Sequence, residues 1–213
     1  MNKQKDLWDQ LAKENPMYYI NSDKGKRITK DQFRDSGAND YMEYIFTDDL
    51  IMDIPRLSAD LVTIVDLGCG IGRMTEFMVD DFDKVVGIDV SHEMIMMARE
   101  RLKGVNNVLL IETDGEILPL ENRSIDIVFS YLVFQHIKER KIVKSNFKEV
   151  YRVLKPGGLF KVRIRSDKVS LDKWWGGVEY TEQSIGQLVK KLGFNLLKTE
   201  PVGNYGFWLW LRK

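Results

Sequence analysis

The chain is poor in residues that bind metals or form covalent cross-links. It contains one cysteine and two histidines in 213 residues, too few for the usual nitrogen and sulfur ligand sets, so we expect no metal site. A single cysteine excludes an intrachain disulfide bond and favours a reducing compartment, so we expect the cytoplasm. Lysine plus arginine equal aspartate plus glutamate at 32 each. This balance argues against a nucleic-acid partner.

Long apolar runs are also missing. No stretch approaches the ~18 apolar residues of a membrane-spanning helix. The start, Met1 to Asp6, is not followed by the apolar region of a signal peptide, so we expect neither a membrane nor a secretory route. The hydrophobic fraction of 44% is nevertheless sufficient for the full core of one larger domain. A small-molecule partner fits this composition best, and the oligomeric state is left open.

The main feature that is present is a glycine-rich turn. Gly68, Gly70 and Gly72 follow the apolar, β-branched run 61–65, which is typical of a buried strand. Glycine permits positive φ and has no Cβ, so a ligand can lie against bare backbone where the following helix begins. The apolar residues after the turn recur at helical spacing: Met74, Phe77, Met78 and Phe82.

An acidic residue ends the next apolar run. Asp89 closes the run that begins at Lys84 and lies seventeen residues beyond Gly72. A carboxylate at such a strand end can accept hydrogen bonds from both hydroxyls of a ribose. The turn and the acid together predict a nucleotide-type site.

The spacing of these residues indicates which nucleotide binds. From Asp66 the chain has the pattern Asp-x-Gly-x-Gly-x-Gly, which resembles motif I of the class I S-adenosylmethionine-dependent methyltransferases. Dinucleotide folds usually have Gly-x-Gly-x-x-Gly instead. The resemblance implies S-adenosylmethionine as cofactor. It also implies an α/β, Rossmann-like, doubly wound sheet of seven strands in the order 3-2-1-4-5-7-6, with strand 7 antiparallel.

The resemblance places the cofactor along the carboxyl ends of the strands. Cys69 is either a small filler of the turn or a reactive thiol, and Met94 either lies near the adenine or packs its helix. Asp114 matches the position that accepts a hydrogen bond from the adenine amine, although a surface turn would have the same composition. The implied cofactor-binding residues are Asp66, Gly68, Cys69, Gly70, Gly72, Arg73, Asp89, Val90, Met94, Asp114, Gly115, Glu116, Ser130 and Gln135.

The segment from Asp126 to Ile137 resembles motif IV of the same family and the residues after it. The resemblance places Tyr131 beside the reacting methyl group, as a candidate catalytic residue. His136 is the candidate general base where the acceptor must lose a proton, because histidine titrates near neutrality, and a structural role is the alternative. We interpret His92 as a solvated residue at the start of a helix.

The first sixty residues predict a helical cap, and residues 61–213 the methyltransferase domain. The string from Trp8 to Ile20 resembles the entry segment of bacterial small-molecule methyltransferases. Tyr18 and Tyr19 are predicted to lie in a loop and to line the substrate pocket. Thr29 and Gln32 predict a capping box. Asn39 is predicted to cap a helix with a defined buried face: Met42, Ile45, Phe46 and Leu50.

The fifth predicted strand, residues 159–165, has a basic face. Lys161, Arg163 and Arg165 alternate with apolar residues. Either their stems cover a thinly packed face and extend to solvent, or Arg163 or Arg165 pairs with an acidic substrate.

Three functions follow from these patterns. The first is a small-molecule methyltransferase acting by direct in-line displacement. The second is a cofactor-binding module of the same fold without catalysis. The third is an NAD-dependent enzyme or a relative that uses a modified adenosylmethionine.

Overall fold

The computed structural model describes residues 3–213. These residues form two compact units, one running up to Asp114 and the other comprising Gly115–Lys213. Each unit holds part of a seven-stranded sheet. The boundary predicted near residue 60 therefore remains a prediction, although the elements described before that residue are all helical.

The helices at the start of the chain are delimited by local capping. Asn15 accepts a hydrogen bond from the Tyr18 N–H and precedes Pro16, which occupies the first helical position. Thr29 and Gln32 form the predicted capping box. The helices are α1 (Lys3–Glu14), α2 (Pro16–Ile20), α3 (Lys30–Tyr41) and α4 (Asp49–Leu57), with a 3-10 turn at Ser22–Lys24 and a π-helical turn at Met42–Phe46.

The prediction for Asn39 and the helix after it is wrong. Asn39 lies inside α3, which continues directly into the π-helical turn. Met42 and Phe46 are 44% and 37% exposed, Leu50 is only partly buried, and Ile45 is fully buried. The wider π turn breaks the 3.6-residue period on which the predicted buried face depends.

The first unit contains three parallel strands. Val65 is paired with Val86 and Val86 with Leu109, so the carboxyl ends of the strands lie at one edge. The helix after the glycine turn is one turn long, shorter than its apolar spacing predicts. The elements are β1 (Thr63–Leu67), α5 (Thr75–Met78), β2 (Lys84–Asp89), α6 (His92–Arg101) and β3 (Val108–Glu112).

The second unit contains the remaining strands. Its closing hairpin turns at residues 203–205, as the sequence predicts, and the last strand is antiparallel to both of its neighbours. The strand order of the sheet, β3-β2-β1-β4-β5-β7-β6, confirms the predicted fold. The elements are β4 (Ile125–Ser130), α7 (Arg140–Val153), β5 (Leu154–Arg165), α8 (Glu182–Lys191), β6 (Asn195–Val202) and β7 (Gly206–Arg212).

The basic face of β5 is covered more fully than the snorkelling interpretation predicts. Lys161 is 3% exposed, and its Nζ lies 4.9 Å and 4.6 Å from the ring centres of Trp208 and Trp210 on β7. These distances are within the range of cation–π attraction. The prediction that the stem of Lys161 extends to solvent is wrong, because the tryptophans of the paired strand share its face.

Within residues 3–213, every helix is too short or too polar to cross a membrane.

The packing of α3 against the glycine turn predicts a sharp difference between two glycine substitutions. A Cβ added at Gly37 would overlap the backbone oxygen of Arg73, whereas one added at Gly186 in α8 meets nothing within 4 Å. We expect Gly37→Ala to lower the free energy of unfolding by about 1 to 3 kcal/mol. Gly186→Ala should leave it unchanged or raise it by up to about 1 kcal/mol. Urea denaturation checks both, and equal effects would contradict the close packing.

Candidate active site

The glycine turn between β1 and α5 has a backbone that only glycine adopts easily. Gly68, Gly70 and Gly72 have φ values of 84°, 54° and 79°. The turn is attached to β2, since the N–H groups of Gly68 and Cys69 donate to the Ile88 oxygen at 2.7 Å and 3.1 Å. The predicted strand-to-helix placement of the glycines is therefore confirmed.

The carboxylate of Asp89 connects the glycine turn with the loop after β2. Its Oδ2 accepts the Gly70 N–H at 2.9 Å and its Oδ1 accepts the Ser91 N–H at 2.9 Å. Burial raises the pKa of Asp89, and hydrogen bonds from the backbone of Ser91, Gly70 and Val90 oppose that shift. Each carboxylate oxygen can accept a second hydrogen bond, so the side chain retains the capacity to bind two hydroxyls.

Asp66 and Arg73, two other residues predicted to bind the cofactor, are buried beside the glycine turn. Asp66 is 5% exposed, and its Oδ2 accepts the Thr75 hydroxyl at 2.6 Å. Arg73 is 4% exposed and donates to Asp40 at 2.6 Å and to Ser36 at 3.3 Å, both on α3. These contacts give Asp66 and Arg73 positioning roles in the turn.

Cys69 and Met94 both lie in packed surroundings. Cys69 is buried, and burial raises the pKa of its thiol well above the ordinary value. A Cβ added at Gly87 would lie 3.0 Å from its sulfur, so this glycine makes room for the cysteine. Met94 is 1% exposed and belongs to a core cluster with Ile71 and Phe33. These contacts agree with the interpretation of Cys69 as a small filler of the turn and of Met94 as a residue that packs its helix.

Helix α1 is fastened to the edge of the sheet that carries Asp89. Asp9 accepts the Ser91 hydroxyl at 2.6 Å and the Glu93 N–H at 3.2 Å. Lys5 forms an ion pair with Glu112 and lies 3.4 Å from the Val90 oxygen. Ser91 itself caps α6, as predicted. Asp9 and Lys5 were missed by sequence reasoning, because charged residues on a surface helix give no signal of partners 80 residues away.

The two tyrosines predicted for a pocket loop lie on a helix instead. Asn15 caps the turn that begins at Pro16, so Tyr18 and Tyr19 belong to α2. The Tyr19 hydroxyl donates to Glu14 at 2.7 Å, and this hydrogen bond raises the pKa of Tyr19 to about 12. A neighbour that sequence reasoning did not single out approaches the glycine turn: the Ile20 Cδ1 would lie 2.9 Å from a Cβ at Gly70.

Of the predicted adenine-side residues, Asp114 ends the first unit, and Gly115 and Glu116 begin the second. Asp114 and Glu116 are exposed. Gly115 has a φ of 82°, and its oxygen accepts the Asn146 amide at 2.6 Å. The oxygen of Glu116 accepts the Ser145 hydroxyl at 3.2 Å. Helix α7 therefore holds the start of this loop within the second unit.

The end of β4 carries the residues predicted for the transfer step. Ser130 is fully buried. Tyr131 stacks on Trp208 with ring centres 5.5 Å apart and planes inclined by 18°. The Gln135 amide nitrogen lies 3.1 Å from Nε2 of His136. These groups follow one another at the carboxyl end of the strand, where open α/β sheets bind ligands.

His136 does not titrate near neutrality, so that prediction is wrong. Its ring is 7% exposed and stacks on Trp174, with ring centres 5.8 Å apart and planes inclined by 13°. Burial, together with the positive charge of Arg165, lowers the pKa of His136 to about 3. The imidazole is therefore neutral at physiological pH.

The chain shows a clear family relationship. Residues 65–162 match the family described as a methyltransferase domain. Together with the strand order 3-2-1-4-5-7-6, this match supports a class I S-adenosylmethionine-dependent methyltransferase.

The methyltransferase domain has relatives of several kinds. Malonyl-[acyl-carrier protein] O-methyltransferase of Marinomonas sp. is 33% identical over 137 residues, which cover 62% of this chain and 49% of that protein. The chain thus spans about half the length of this curated relative. The solved PH0226 protein of Pyrococcus horikoshii is 25% identical with a TM-score of 0.66, covering 92% of this chain and 97% of that one.

A third comparison concerns the fold alone. Magnesium protoporphyrin IX methyltransferase of Synechocystis, solved with bound SAH, has a TM-score of 0.69 at 14% identity, covering 98% of this chain and 97% of that one.

The methyltransferase domain fits the cofactor of its class, S-adenosylmethionine. A bound nucleoside needs a group that accepts hydrogen bonds from its ribose hydroxyls, and backbone that it can approach closely. Asp89 offers the acceptor, with one N–H on each oxygen and a further lone pair on each. In the turn beside it, Gly68 is partly exposed, whereas Ile20 lies against Gly70 and Leu102 against Gly72. The acceptor capacity of Asp89 therefore fits the ribose of this cofactor.

The buried Asp66 predicts a pH dependence of the domain's stability. Burial raises the pKa of Asp66 from 3.8 to about 6. The folded state therefore favours the protonated carboxyl, and its stability falls as the pH rises through this interval. Asp66→Asn lacks this loss, so the difference in free energy of unfolding, variant minus wild type, should increase by about 2 to 3 kcal/mol between pH 4 and pH 7.

Urea denaturation at a series of pH values measures this difference. Asp60→Asn, at an exposed aspartate, is the matched control and should give a flat difference. A flat difference for Asp66→Asn as well would show that the carboxyl is not held protonated by burial.

Proposed function

We propose that this protein transfers a methyl group from S-adenosylmethionine to a small-molecule acceptor. The observation that carries the proposal is the Asp89 carboxylate, which is held between the N–H groups of Gly70 and Ser91 with acceptor capacity to spare. When bound, S-adenosylmethionine supplies a methyl group on a positively charged sulfur that an acceptor lone pair displaces in line. The chain then has to align the two partners and keep water out.

The proposed binding roles follow from the contacts. Asp89 binds the ribose hydroxyls, and the backbone of the glycine turn lies beside the nucleoside. Ile20, which approaches Gly70, closes the turn on the side of the helical cap. Tyr131 and Ser130, at the end of β4, lie where the family resemblance places the transfer step. Tyr18 and Tyr19 remain proposed substrate contacts through their rings.

The acceptor is proposed to need no strong base. His136 is the candidate base, but with a pKa of about 3 its imidazole binds protons weakly. It can still accept a hydrogen bond and orient an acceptor. A carboxylate oxygen, or an amine that has already lost its proton to solvent, attacks without such a base, whereas an alcohol would need one.

The proposed partner is a small molecule in the cytoplasm. The balance of 32 basic and 32 acidic residues gives no field that favours nucleic acid. The single cysteine supports a reducing compartment.

A thermal-shift titration tests the proposed cofactor. Wild-type protein is titrated in parallel with S-adenosylmethionine, S-adenosylhomocysteine, decarboxylated S-adenosylmethionine and NAD(H). We expect the first two to stabilise it, by about 2.7 kcal/mol at a hundred times the dissociation constant. Asp89→Ala should abolish the shift. Glu100→Ala, at an exposed acid of α6, should retain it.

The other outcomes separate the alternatives. A shift with NAD(H) alone would indicate a nicotinamide enzyme, and a shift with the decarboxylated compound alone would indicate a modified cofactor. A retained shift in Asp89→Ala would contradict the role given to this carboxylate.

A further inference from the structure

The last residue of β5 is a buried cation with incomplete pairing. Arg165 is 9% exposed. Its Nε and Nη1 are buried, and neither has a hydrogen-bond partner within residues 3–213. Removing a cation from water without full hydrogen bonding is costly, so such groups are normally paired. We therefore expect an anion to bind at this position.

The neighbouring carboxylate satisfies this cation only in part. Oδ2 of Asp167 lies 3.5 Å from Nη1 of Arg165, which is an ion pair but too long for a good hydrogen bond. The second oxygen of Asp167, Oδ1, is buried and also has no hydrogen-bond partner in the described part of the chain. Asp167 thus lowers the cost of burying Arg165 without occupying its donors.

Further positive charge surrounds this position. Burial lowers the pKa of Arg165, Asp167 opposes this shift, and the charge of Arg163, two residues earlier on the same face of β5, adds to it. Arg163 lies 5.6 Å from the ring centre of Tyr131, the residue placed at the transfer step. The charge of Arg165 in turn acts on His136. The cationic groups therefore lie beside residues already assigned to the reaction.

The loop after β5 is hydrogen-bonded to Arg165 and to the segment that follows His136. The Tyr180 N–H donates to the Arg165 oxygen, and the Val178 N–H to the Ile137 oxygen, each at 2.9 Å. These bonds hold the loop that carries Trp174, whose ring stacks on His136. The stacked rings of His136 and Trp174 and the buried guanidinium of Arg165 thus belong to the same unit of the protein.

We propose that the methyl acceptor carries a carboxylate, which the guanidinium of Arg165 binds through charge-assisted hydrogen bonds. A monoanion fits better than a phosphate dianion, because Asp167 already neutralises part of the positive charge. The inference rests on the proposed methyl transfer, since it names the substrate class of the same enzyme. Arg165 is then a substrate-binding residue, and Asp167 keeps it in place before the substrate arrives.

The test measures binding of small acids to the protein saturated with S-adenosylhomocysteine. The probes are malonate, benzoate and indole-3-acetate, each compared with its uncharged amide by thermal shift and calorimetry. We expect at least one acid to bind and its amide not to bind. Arg165→Met should weaken that acid about tenfold or more, as expected for loss of a charge-assisted bond. Arg56→Met, at a half-exposed arginine of α4, should leave it unchanged.

A second variant keeps the test decisive if Arg165→Met folds poorly. Asp167→Asn removes the negative charge that partly neutralises Arg165 and should tighten binding of the same acid severalfold.

Binding of no acid in the panel, equal binding of acid and amide, or unchanged binding in both variants would overturn the inference. Failure of S-adenosylhomocysteine to bind the wild type would instead contradict the proposed function. The two failures are therefore distinguishable in one set of samples.

Discussion

One carboxylate determines how the cofactor side of the domain is arranged. Asp89 receives the N–H of Gly70 from the turn after β1 and the N–H of Ser91 from the loop after β2. Gly70 has a positive φ, and its N–H donates to the Asp89 carboxylate at the end of β2. Asp89 lies nineteen residues beyond Gly70, so one carboxylate fixes two loops that are distant in the sequence, as the orientation of a ribose requires.

The same centre explains how the helical cap is attached. Ser91 donates its backbone N–H to Asp89 and its hydroxyl to Asp9 on α1, so a single residue connects the cofactor carboxylate to the cap. Lys5 and Glu112 add an ion pair at the adjacent strand. Because the cap is anchored here, Ile20 of α2 is brought to the glycine turn. Hydrogen bonds and an ion pair therefore connect α1 to the ends of β2 and β3.

Local patterns in the sequence were sufficient for much of this description. The glycine turn, the Ser91 cap, the Thr29 capping box and the closing hairpin depend on residues a few positions apart, and all are found. Predictions that needed tertiary information were less successful. The face of Lys161 depends on tryptophans about fifty residues later, and the pKa of His136 on its burial and on Arg165.

The most direct measurement compares the affinities of S-adenosylhomocysteine and its 2′-deoxy analogue, by calorimetry, for the wild type and for Asp89→Asn. If Asp89 accepts both ribose hydroxyls, the wild type should bind the deoxy analogue about tenfold more weakly, as expected for loss of a hydrogen bond to a charged group. In Asp89→Asn the two compounds should then differ much less. An equal preference for the hydroxylated compound in both proteins would contradict the account.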